Sequence, residues 1–487
     1  MSPPPHVDAA EILGRLSAYR THDAPTHGGR VLSYVYDSGR PELDALAGDA
    51  AAMVQSVNGL DPTTFPSVAL MEGDLVAFGR AMLHGPTATG SITSGGTESC
   101  LLAVKAARDL WRRRHPEMDE RPSIVLATSA HAAFHKAAHY LGLEVVLVSV
   151  DPDSGVPAVH AMIDALGERT ALVVVSAPSY PHGVIDPVGQ VAAAAQRADI
   201  PCHVDACIGG WILPWWEQAG GPTVPPWDFA VPGVSSISAD VHKFGYAPKG
   251  ASLLLFADPE LDRARYFALT DWLGYPVVNP TVLGTRSATS LAAAWAVVRA
   301  LGERGYVELT AQVLRATDAV REVVEAIPGL SVHGDPTGPL VAVRADFSAA
   351  EEQRVDPHLW AAAVAARGFV LQGQPGSVQP NGTIIARTTH LTITPVTLGL
   401  LDELLPALSA GADDVRGQLT PAGLPAASQA PELSVGIPDP AALAQAARNT
   451  GELDLTAVLS LIEALPREQS AQLLVDFLAE FITPHVD

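Results

Sequence analysis

Short strand-like runs alternate with helical stretches through the first half of the chain, and this alternation strongly constrains the fold. Strands that are separated by helices pair in parallel and form one sheet with helices packed on it. The pattern therefore predicts an α/β fold with a largely parallel sheet, in which the strands occupy residues 124–127, 145–150, 171–176, 203–206, 235–238 and 252–256.

Two of these runs are followed by ionisable residues, at the strand ends where open α/β sheets bind ligands. Asp205 lies at the end of an apolar stretch, and Lys243 follows the run at 235–238 directly behind His242. A desolvated lysine amine can form a Schiff base with an aldehyde cofactor, and a carboxylate can hold the pyridinium nitrogen of pyridoxal phosphate. Without Lys243, Asp205 would be interpreted as a turn or cap residue.

Residues 93–99 read Thr-Ser-Gly-Gly-Thr-Glu-Ser and lead directly into a helical pattern. Gly95 and Gly96 allow backbone N–H groups to approach an anion closely, and Thr97 lies in the first turn of the helix, whose positive end faces the same place. The segment predicts a phosphate cradle. An ordinary helix cap that uses Glu98 explains it equally well.

His131 follows the strand-like run at 124–127 and is a candidate for stacking on a pyridine ring and for proton transfer. His135 and His139 follow at helical spacing. We interpret these two as surface or cap residues, although His135 is close enough to His131 to matter.

These segments, taken in order along the chain, resemble the pyridoxal-phosphate-dependent decarboxylase superfamily and, within it, the sphingosine phosphate lyases. The resemblance implies an aspartate-aminotransferase-like fold, known as fold type I. Its large domain has a mostly parallel sheet, and its smaller C-terminal domain is α+β. The blocks that carry the resemblance are 93–99, 129–138, 179–187, 203–210, 238–250, 271–272 and 284–286.

The resemblance also implies roles on the cofactor side. Lys243 would carry the Schiff base, Asp205 would face the pyridinium nitrogen and His131 would stack on the ring. The cofactor phosphate would be held by Gly95, Gly96, Thr97 and His242. In relatives a glycine-serine turn reaches this phosphate from the neighbouring subunit, and Gly284 and Thr285 stand there in this chain. A homodimer with shared active sites follows from that resemblance.

The substrate-side residues are Tyr36, Asn58, Asp61, His182 and Lys249. Tyr36 matches a tyrosine that transfers protons, and it is equally typical of an aromatic side chain that packs the N-terminal arm. Lys249 matches a lysine near the acidic end of the substrate, or it is a solvated loop residue. Asp61 replaces a histidine that engages the phosphoryl group in the lyases. A carboxylate there would repel a phosphate, so either the loop that carries Asp61 has moved or the end of the substrate is not a phosphate.

The resemblance predicts an aldehyde-lyase that cleaves a phosphorylated long-chain base to a fatty aldehyde and phosphoethanolamine by retro-aldol cleavage, within sphingolipid metabolism. Two alternatives stay open. The same constellation supports amino-acid decarboxylation, because the placement of side chains around the α-carbon decides which bond breaks. The chain can also be an inactive cofactor-binding scaffold whose C-terminal helices recruit a partner.

Composition favours a large soluble enzyme. The 487 residues are 48% hydrophobic, and the net charge of -23 argues against a nucleic-acid surface. The N-terminus lacks the features of a secretory signal, and the apolar run at 291–298 is too short to span a bilayer. The three cysteines fit a reducing cytoplasm, and Cys202 with Cys207 lacks the spacing of a metal site. We therefore expect a cytoplasmic enzyme without a transmembrane segment or a metal.

Changes in pattern divide the chain. We predict an N-terminal arm at 1–60, a large cofactor-binding domain at 61–300 and a small domain at 301–412 with strands near 340–343 and 390–394. Residues 413–440 include a stretch rich in proline, alanine and serine and predict a linker. In the extension at 441–487, apolar residues recur at helical spacing around 455–465 and 473–481 and predict two amphipathic helices, which we expect to dock on the same subunit or across the dimer.

Overall fold

A computed structural model describes residues 8–419, 439–450 and 455–483 of the chain. The first seven positions of the predicted arm lie outside the described residues. So do positions 420–438 of the predicted linker. The remaining residues form helices packed on both faces of one large sheet, followed by a smaller antiparallel sheet and a set of C-terminal helices.

The large sheet has seven strands in the order β1-β7-β6-β5-β4-β2-β3. Strands β3, β2, β4, β5 and β6 pair in parallel, and β7 runs antiparallel between β6 and β1. This confirms the predicted α/β fold with a largely parallel sheet. The strands are β1 (Thr89–Thr93), β2 (Ser123–Ala127), β3 (Glu144–Val148), β4 (Thr170–Ser176), β5 (Cys202–Asp205), β6 (Val234–Ala239) and β7 (Ser252–Phe256).

Burial explains why these short runs form a sheet. Every residue of β2, β4 and β7 is buried, so both faces of these strands are covered and the side chains need not alternate between apolar and polar. The sequence interpretation missed β1. Its residues Thr-Gly-Ser-Ile-Thr read as a polar turn, yet Gly90 packs against the backbone of Leu254 on β7 so closely that a Cβ atom would lie 1.9 Å from a carbonyl oxygen.

Helices surround this sheet and connect its strands. They are α1 (Ala9–Arg20), α2 (Pro41–Met53), α3 (Pro66–Met82), α4 (Gly96–Arg114), α5 (Ala132–Leu141), α6 (Val159–Asp164), α7 (Val188–Arg197), α8 (Leu213–Trp216), α9 (Pro259–Ala264) and α10 (Thr289–Ala326). A hairpin of β8 (Phe267–Leu269) and β9 (Val277–Asn279) lies between α9 and α10. None of the helices within the described ranges combines the length and apolar character that a bilayer crossing requires.

The 38-residue helix α10 leads from the large sheet to the second one. Gly302 interrupts it with φ 54° and ψ -174°, close to the boundary predicted at residue 300. The smaller sheet has the order β10-β11-β15-β12 and is antiparallel throughout. Its strands are β10 (Leu330–Val332), β11 (Leu340–Ala345), β12 (Gln372–Gln374) and β15 (Thr388–Thr392), with β13 (Ser377–Val378) and β14 (Ile384–Ile385) as a separate hairpin. The domain boundaries themselves stay predictions.

The C-terminal region contributes α11 (Pro357–Ala365), α12 (Leu401–Val415), α13 (Pro440–Thr450), α14 (Leu455–Ala464) and α15 (Arg467–Ile482). Helices α14 and α15 occupy the two stretches predicted to be amphipathic helices, and α13 precedes them. Glu463 of α14 forms a buried ion pair with Arg387 and accepts a hydrogen bond of 2.7 Å from the N–H of Gly376. Arg387 also lies 3.1 Å from Asp356. The extension therefore docks on the small sheet of its own chain.

Candidate active site

The site lies where β1, β5 and β6 end and where α4 and α5 begin. A cavity of about 360 Å³ opens there. Segments that are far apart in the sequence meet in it because the strands share one sheet edge. Its lining consists of Ser94, Gly95, Gly96, Thr97, Glu98, Cys100, His131, Cys207, Asp240, His242 and Lys243.

The turn between β1 and α4 forms one end of the cavity. Glu98 accepts hydrogen bonds from the backbone and hydroxyl of Ser94 at 2.7 and 2.6 Å, but the N-cap residue of α4 is Gly95 and no side chain caps it, so the ordinary helix cap is absent. The glycines still face the cavity. A Cβ atom on Gly96 would lie 2.7 Å from Asp240 and 2.9 Å from the sulfur of Cys207, so a glycine is needed for this close approach. The turn therefore has the glycines that the predicted cradle requires and lacks a side-chain cap.

Lys243 follows the end of β6 and points its amine at a buried carboxylate. Its Nζ lies 3.0 Å from Oδ2 of Asp240, which is 1% exposed. Burial alone would lower the pKa of Lys243, but the carboxylate outweighs it and holds the pKa well above its ordinary value. His242 lies 3.6 Å from the same Asp240 oxygen, and burial lowers its pKa.

Asp205 ends β5 beside these groups. It is buried, and its Oδ1 accepts a hydrogen bond of 3.1 Å from the N–H of Cys207. The hydroxyl of Ser238 on β6 lies 3.5 Å from the same oxygen and also 3.1 Å from the imidazole of His203. These contacts fix the carboxylate beside the cavity: Asp205 is not one of the lining residues, whereas its hydrogen-bond donor Cys207 is.

His131 precedes α5 and caps it, because its Nδ1 accepts a hydrogen bond of 3.1 Å from the N–H of Ala133. The ring lines the cavity from this position. His135 is exposed and does not belong to the cavity lining, which agrees with its interpretation as a surface residue.

Tyr36 and Lys249 lie together near the lysine. The Nζ of Lys249 is 4.7 Å from the ring centre of Tyr36 and donates to the backbone oxygens of Tyr34 and His242 at 3.2 and 3.3 Å. Burial raises the pKa of Tyr36 to about 12. Loss of water around the ammonium group, together with the charge of Lys243, lowers the pKa of Lys249 to about 8.

These features match those of known proteins. The conserved domain of the pyridoxal-dependent decarboxylases matches residues 31–346. The chain belongs to the pyridoxal-dependent decarboxylase family. Pyridoxal phosphate is accordingly its cofactor, which confirms the prediction from Lys243.

Named relatives agree with this assignment. Sphingosine-1-phosphate lyase 1 of Rattus norvegicus is 40% identical over 338 residues, which is 69% of this chain and 59% of the relative. Sphingosine-1-phosphate lyase of Dictyostelium discoideum is 40% identical over 342 residues, or 70% of this chain and 63% of the relative. The chain thus spans about 60% of the length of these curated relatives.

A solved structure extends the similarity to the fold. The sphingosine-1-phosphate lyase of Burkholderia pseudomallei K96243 aligns with a TM-score of 0.77 at 33% identity, over 85% of this chain and 92% of that one. The predicted fold class of a pyridoxal-phosphate enzyme is therefore confirmed.

The cavity fits the family's cofactor. Backbone N–H groups at the start of α4 suit a phosphate, because helix starts bind anions. The Lys243 amine, the Asp205 carboxylate and the His131 ring are the groups that an aldehyde, a pyridinium nitrogen and an aromatic ring require. Gly96 is part of this fit, because only a residue without a side chain lets the start of α4 lie this close to Asp240 and Cys207.

The predicted substrate residues are more dispersed. Asp61 is exposed, and its carboxylate accepts hydrogen bonds from the hydroxyl groups of Thr63 and Thr64. These bonds, that of Thr63 most of all, lower the pKa of Asp61 to about 2. Asn58 accepts a hydrogen bond of 2.9 Å from the N–H of Leu60. Both belong to turns outside the cavity lining, and their role in substrate binding stays a prediction.

His182 is buried against a different partner. Its ring lies 4.4 Å from that of His333 on the loop after β10, and it packs on Gly155. Burial lowers the pKa of His182 to about 4. Gly284 and Thr285 lie between β9 and α10, outside the cavity lining of this chain. The roles predicted for these three residues stay predictions.

Three residues of the lining were missed by sequence reasoning. Asp240 lies inside the predicted block 238–250, and its spacing of three residues from Lys243 was the available signal. Cys207 lies two positions after Asp205, and Cys100 lies in the first turn of α4. The sequence offered no sign that these two cysteines meet.

A second cavity of about 450 Å³ lies away from this site, beside the last turns of α4 and the start of β5. Trp111, Arg114 and Asp199 line it, and it shares no lining residue with the site above. Arg114 and Asp199 pair with each other at 3.0 Å, so their charges are balanced.

Proposed function

We propose that this chain is a pyridoxal-phosphate-dependent carbon–carbon lyase that cleaves a phosphorylated long-chain base to a fatty aldehyde and phosphoethanolamine. The observation that carries the proposal is that Lys243 and His131 line one cavity and that Asp205 accepts a hydrogen bond from Cys207 of the same lining, in a chain 33–40% identical to proteins named sphingosine-1-phosphate lyase. All three residues lie within residues 31–346, which the family's conserved domain matches.

The cofactor, when bound, withdraws electrons from the bond that breaks at the substrate's α-carbon. The chain's residues hold it in place. Gly95, Gly96, Thr97 and His242 would hold the phosphate, Lys243 the aldehyde carbon and Asp205 the pyridinium nitrogen, while His131 would lie against the ring. The hydrogen bonds that Asp205 accepts from Cys207 and Ser238 orient its carboxylate for this contact.

Retro-aldol cleavage moves one proton from the substrate hydroxyl and delivers one to the α-carbon. Lys243 suits the first task, because Asp240 holds its pKa high and the released amine therefore keeps the proton that it accepts. Tyr36 suits the second. Its phenol, with a pKa near 12, stays protonated at neutral pH and is available as a donor.

Lys249 is the cation that we assign to the acidic end of the substrate. Its ammonium group lies 4.7 Å from the centre of the Tyr36 ring, and the charge of Lys243, a residue of the cavity lining, acts on it. Asp61 does not oppose this assignment from its observed position, since it is exposed and lies outside the cavity lining, where solvent screens its charge. Asp61→His tests the specificity argument, because a histidine that faces the phosphoryl group would lower KM for phosphorylated substrates.

We also propose a homodimer in which the loop at 284–285 completes the partner's site. A run of exposed, large apolar side chains precedes this loop and supports a covered surface. Leu273 is fully exposed, and Trp272, Tyr275 and Val278 are each at least half exposed. Sedimentation of wild type and Leu273→Asp tests this, since an interface there would be weakened by a buried charge. We place the enzyme in the cytoplasm, an assignment supported by three free buried cysteines.

The deciding experiment incubates the cofactor-loaded protein with sphinganine phosphate and detects phosphoethanolamine and fatty aldehyde by mass spectrometry. Both products are expected from wild type and neither from Lys243→Ala. If wild type binds the cofactor, as its absorbance shows, and forms neither product, the lyase proposal is wrong. Release of carbon dioxide from an amino acid would then establish the decarboxylase alternative, and no turnover of any amine would establish the inactive scaffold.

A further inference from the structure

Three side chains of the kinds that bind zinc, two thiols and a carboxylate, converge beside the cofactor cavity, and the two thiols belong to residues of its lining. They are Cys100 from the first turn of α4, Asp205 from the end of β5 and Cys207 just after it. One ligand atom of each lies within 4.8 Å of the other two, and all three residues are buried. The proposed lyase chemistry uses only the carboxylate of Asp205.

The spacing suits a tetrahedral ion. Zinc–sulfur bonds of about 2.3 Å place two sulfur ligands of a tetrahedral ion about 3.8 Å apart. The three ligand atoms lie within 4.8 Å of one another, so side-chain rotations that move an atom by about 1 Å bring them to that distance. The ligands are already held by their neighbours. The sulfur of Cys207 lies 3.4 Å from the Ser238 hydroxyl. The backbone N–H of Cys207 donates a hydrogen bond of 3.1 Å to the carboxylate of Asp205. Such supporting contacts orient ligands around metal ions.

An ion can also reach this place. Cys100 and Cys207 both line the cavity, so their sulfur atoms have an access route from it. Three protein ligands leave the fourth position of a tetrahedral ion open, and that position would face the cavity rather than the packed core. Sites of this kind keep water or another small ligand in the open position.

The local charge favours a cation. The carboxylates of Asp205 and Asp240 lie beside the two thiols, and the nearest ammonium group, that of Lys243, is paired with Asp240 at 3.0 Å. A free thiol is protonated at neutral pH, whereas a metal ion binds the thiolate. A binding ion would displace both thiol protons to solvent and form two metal–thiolate bonds.

We propose that the cofactor-free chain binds one thiophilic divalent cation, with zinc as the best fit, on Cys100, Asp205 and Cys207. This ion excludes pyridoxal phosphate, because both require the same Asp205 carboxylate. The metal site itself is independent of the proposed reaction, and only its competition with the cofactor rests on the role proposed for Asp205.

The test titrates Zn²⁺ into the full chain after removal of the cofactor and follows heat by calorimetry. Wild type is expected to bind one equivalent. Cys100→Ala and Cys207→Ala are each expected to weaken binding at least about tenfold, since each removes one ligand. Cys202→Ala is the matched control: Cys202 is also a buried free cysteine, on the same strand as Asp205, but outside the cluster. Zinc affinity that is unchanged in the two cluster variants would overturn the site.

Two further measurements do not depend on those variants folding well. Co²⁺ bound to wild type is expected to show thiolate-to-metal charge-transfer absorbance, and Zn²⁺ is expected to protect Cys100 and Cys207 from alkylation, as measured by mass spectrometry. Absence of both signals would reject the site. For the competition, the cofactor-loaded chain is expected to bind zinc at least about tenfold more weakly than the cofactor-free chain. Equal zinc affinity in the two forms would show that zinc and the cofactor do not share Asp205. Product formation from sphinganine phosphate tests the proposed function separately, so the two proposals can fail independently.

Discussion

The amine of Lys243 lies 3.0 Å from the carboxylate of Asp240, and this pair spans the border of the cavity. The lysine side chain is 20% exposed, whereas that of the aspartate is 2% exposed. The carboxylate is thus held in the protein interior, where its field on the amine is screened little by solvent. It keeps the amine charged in the cofactor-free chain, and this has a measurable effect on cofactor attachment.

Asp240→Asn is expected to lower the pKa of Lys243, because burial then acts on the amine without the opposing carboxylate. The unprotonated amine attacks the cofactor, so the pH at which attachment is half-maximal in rate should fall by about one to three units. Stopped-flow absorbance after addition of pyridoxal phosphate measures this rate. Asp262→Asn is the control, since Asp262 forms an equally spaced buried pair with Arg265 away from the cavity. Equal pH profiles for Asp240→Asn and wild type would contradict the role of Asp240.

Lys249 is expected to give the lyase an alkaline limit. Its pKa of about 8 means that the ammonium group loses its charge as the pH rises through 8, so affinity for an anionic substrate falls there. kcat/KM for a phosphorylated substrate should therefore decline above pH 8 in wild type. Lys249→Arg keeps its charge over this range and should shift the decline to higher pH. A decline at the same pH in both proteins would exclude Lys249 as its source.

Glu463→Gln is expected to loosen the C-terminal helices from the small sheet. The change removes the charge that pairs with the buried Arg387, which keeps Asp356 as a partner, so we expect a loss of about 1–3 kcal/mol. Hydrogen exchange should then speed up in α14 and α15 and leave the large sheet unchanged. Glu468→Gln alters an exposed glutamate in the first turn of α15 and serves as the control. Identical exchange in the two variants would show that the ion pair does not anchor the extension.

The buried, contacting rings of His182 and His333 predict a loss of stability in acid. Burial lowers their pKa values to about 4 and about 3, below the ordinary 6.5, while Asp151 and Arg344 act on His333 in opposite directions. The unfolded chain therefore binds more protons below pH 6.5. The free energy of unfolding should fall as pH drops from about 6.5 toward 4, by up to about 1.4 kcal/mol per unit for each histidine.

His333→Phe should reduce that slope, because phenylalanine fills the site without binding a proton. Urea unfolding at pH 7, 5.5 and 4.5 measures it, and His139→Phe, at an exposed position of α5, is the control. A slope in His333→Phe as steep as in wild type would locate the acid sensitivity elsewhere.

The parallel part of the fold was predictable from the sequence because its strands are short, buried and separated by helices. The run at 252–256 coincides with β7, and the run at 124–127 starts one residue after β2 does. Strand β1 was not predictable, since its polar residues become a strand only through pairing with β7, which lies far along the chain. The pairing with β7, and not the local sequence pattern, determines that this segment forms a strand.

The candidate site divides in the same way. Lys243, Asp205 and His131 were predictable because each follows a strand of one sheet, and parallel strands bring their carboxyl ends together. The meeting of Cys100 with Cys207 was not, because it depends on how the first turn of α4 sits against the end of β5. The positions of Asp61 and His182 also depend on contacts with loops that sequence spacing does not specify.

The interruption of α10 at Gly302 has a consequence for how the length of this chain can vary. An α-helix turns by about 100° per residue, so one residue inserted between Thr289 and Gly302 would rotate the attachment point of the small sheet by that angle. Insertions in this segment would have to come as whole turns to keep the orientation of the small sheet relative to the large one. The break itself leaves room for a side chain, yet its φ of 54° disfavours one. Homologous chains should therefore differ in length in their surface loops and keep the spacing from the start of α10 to this glycine constant.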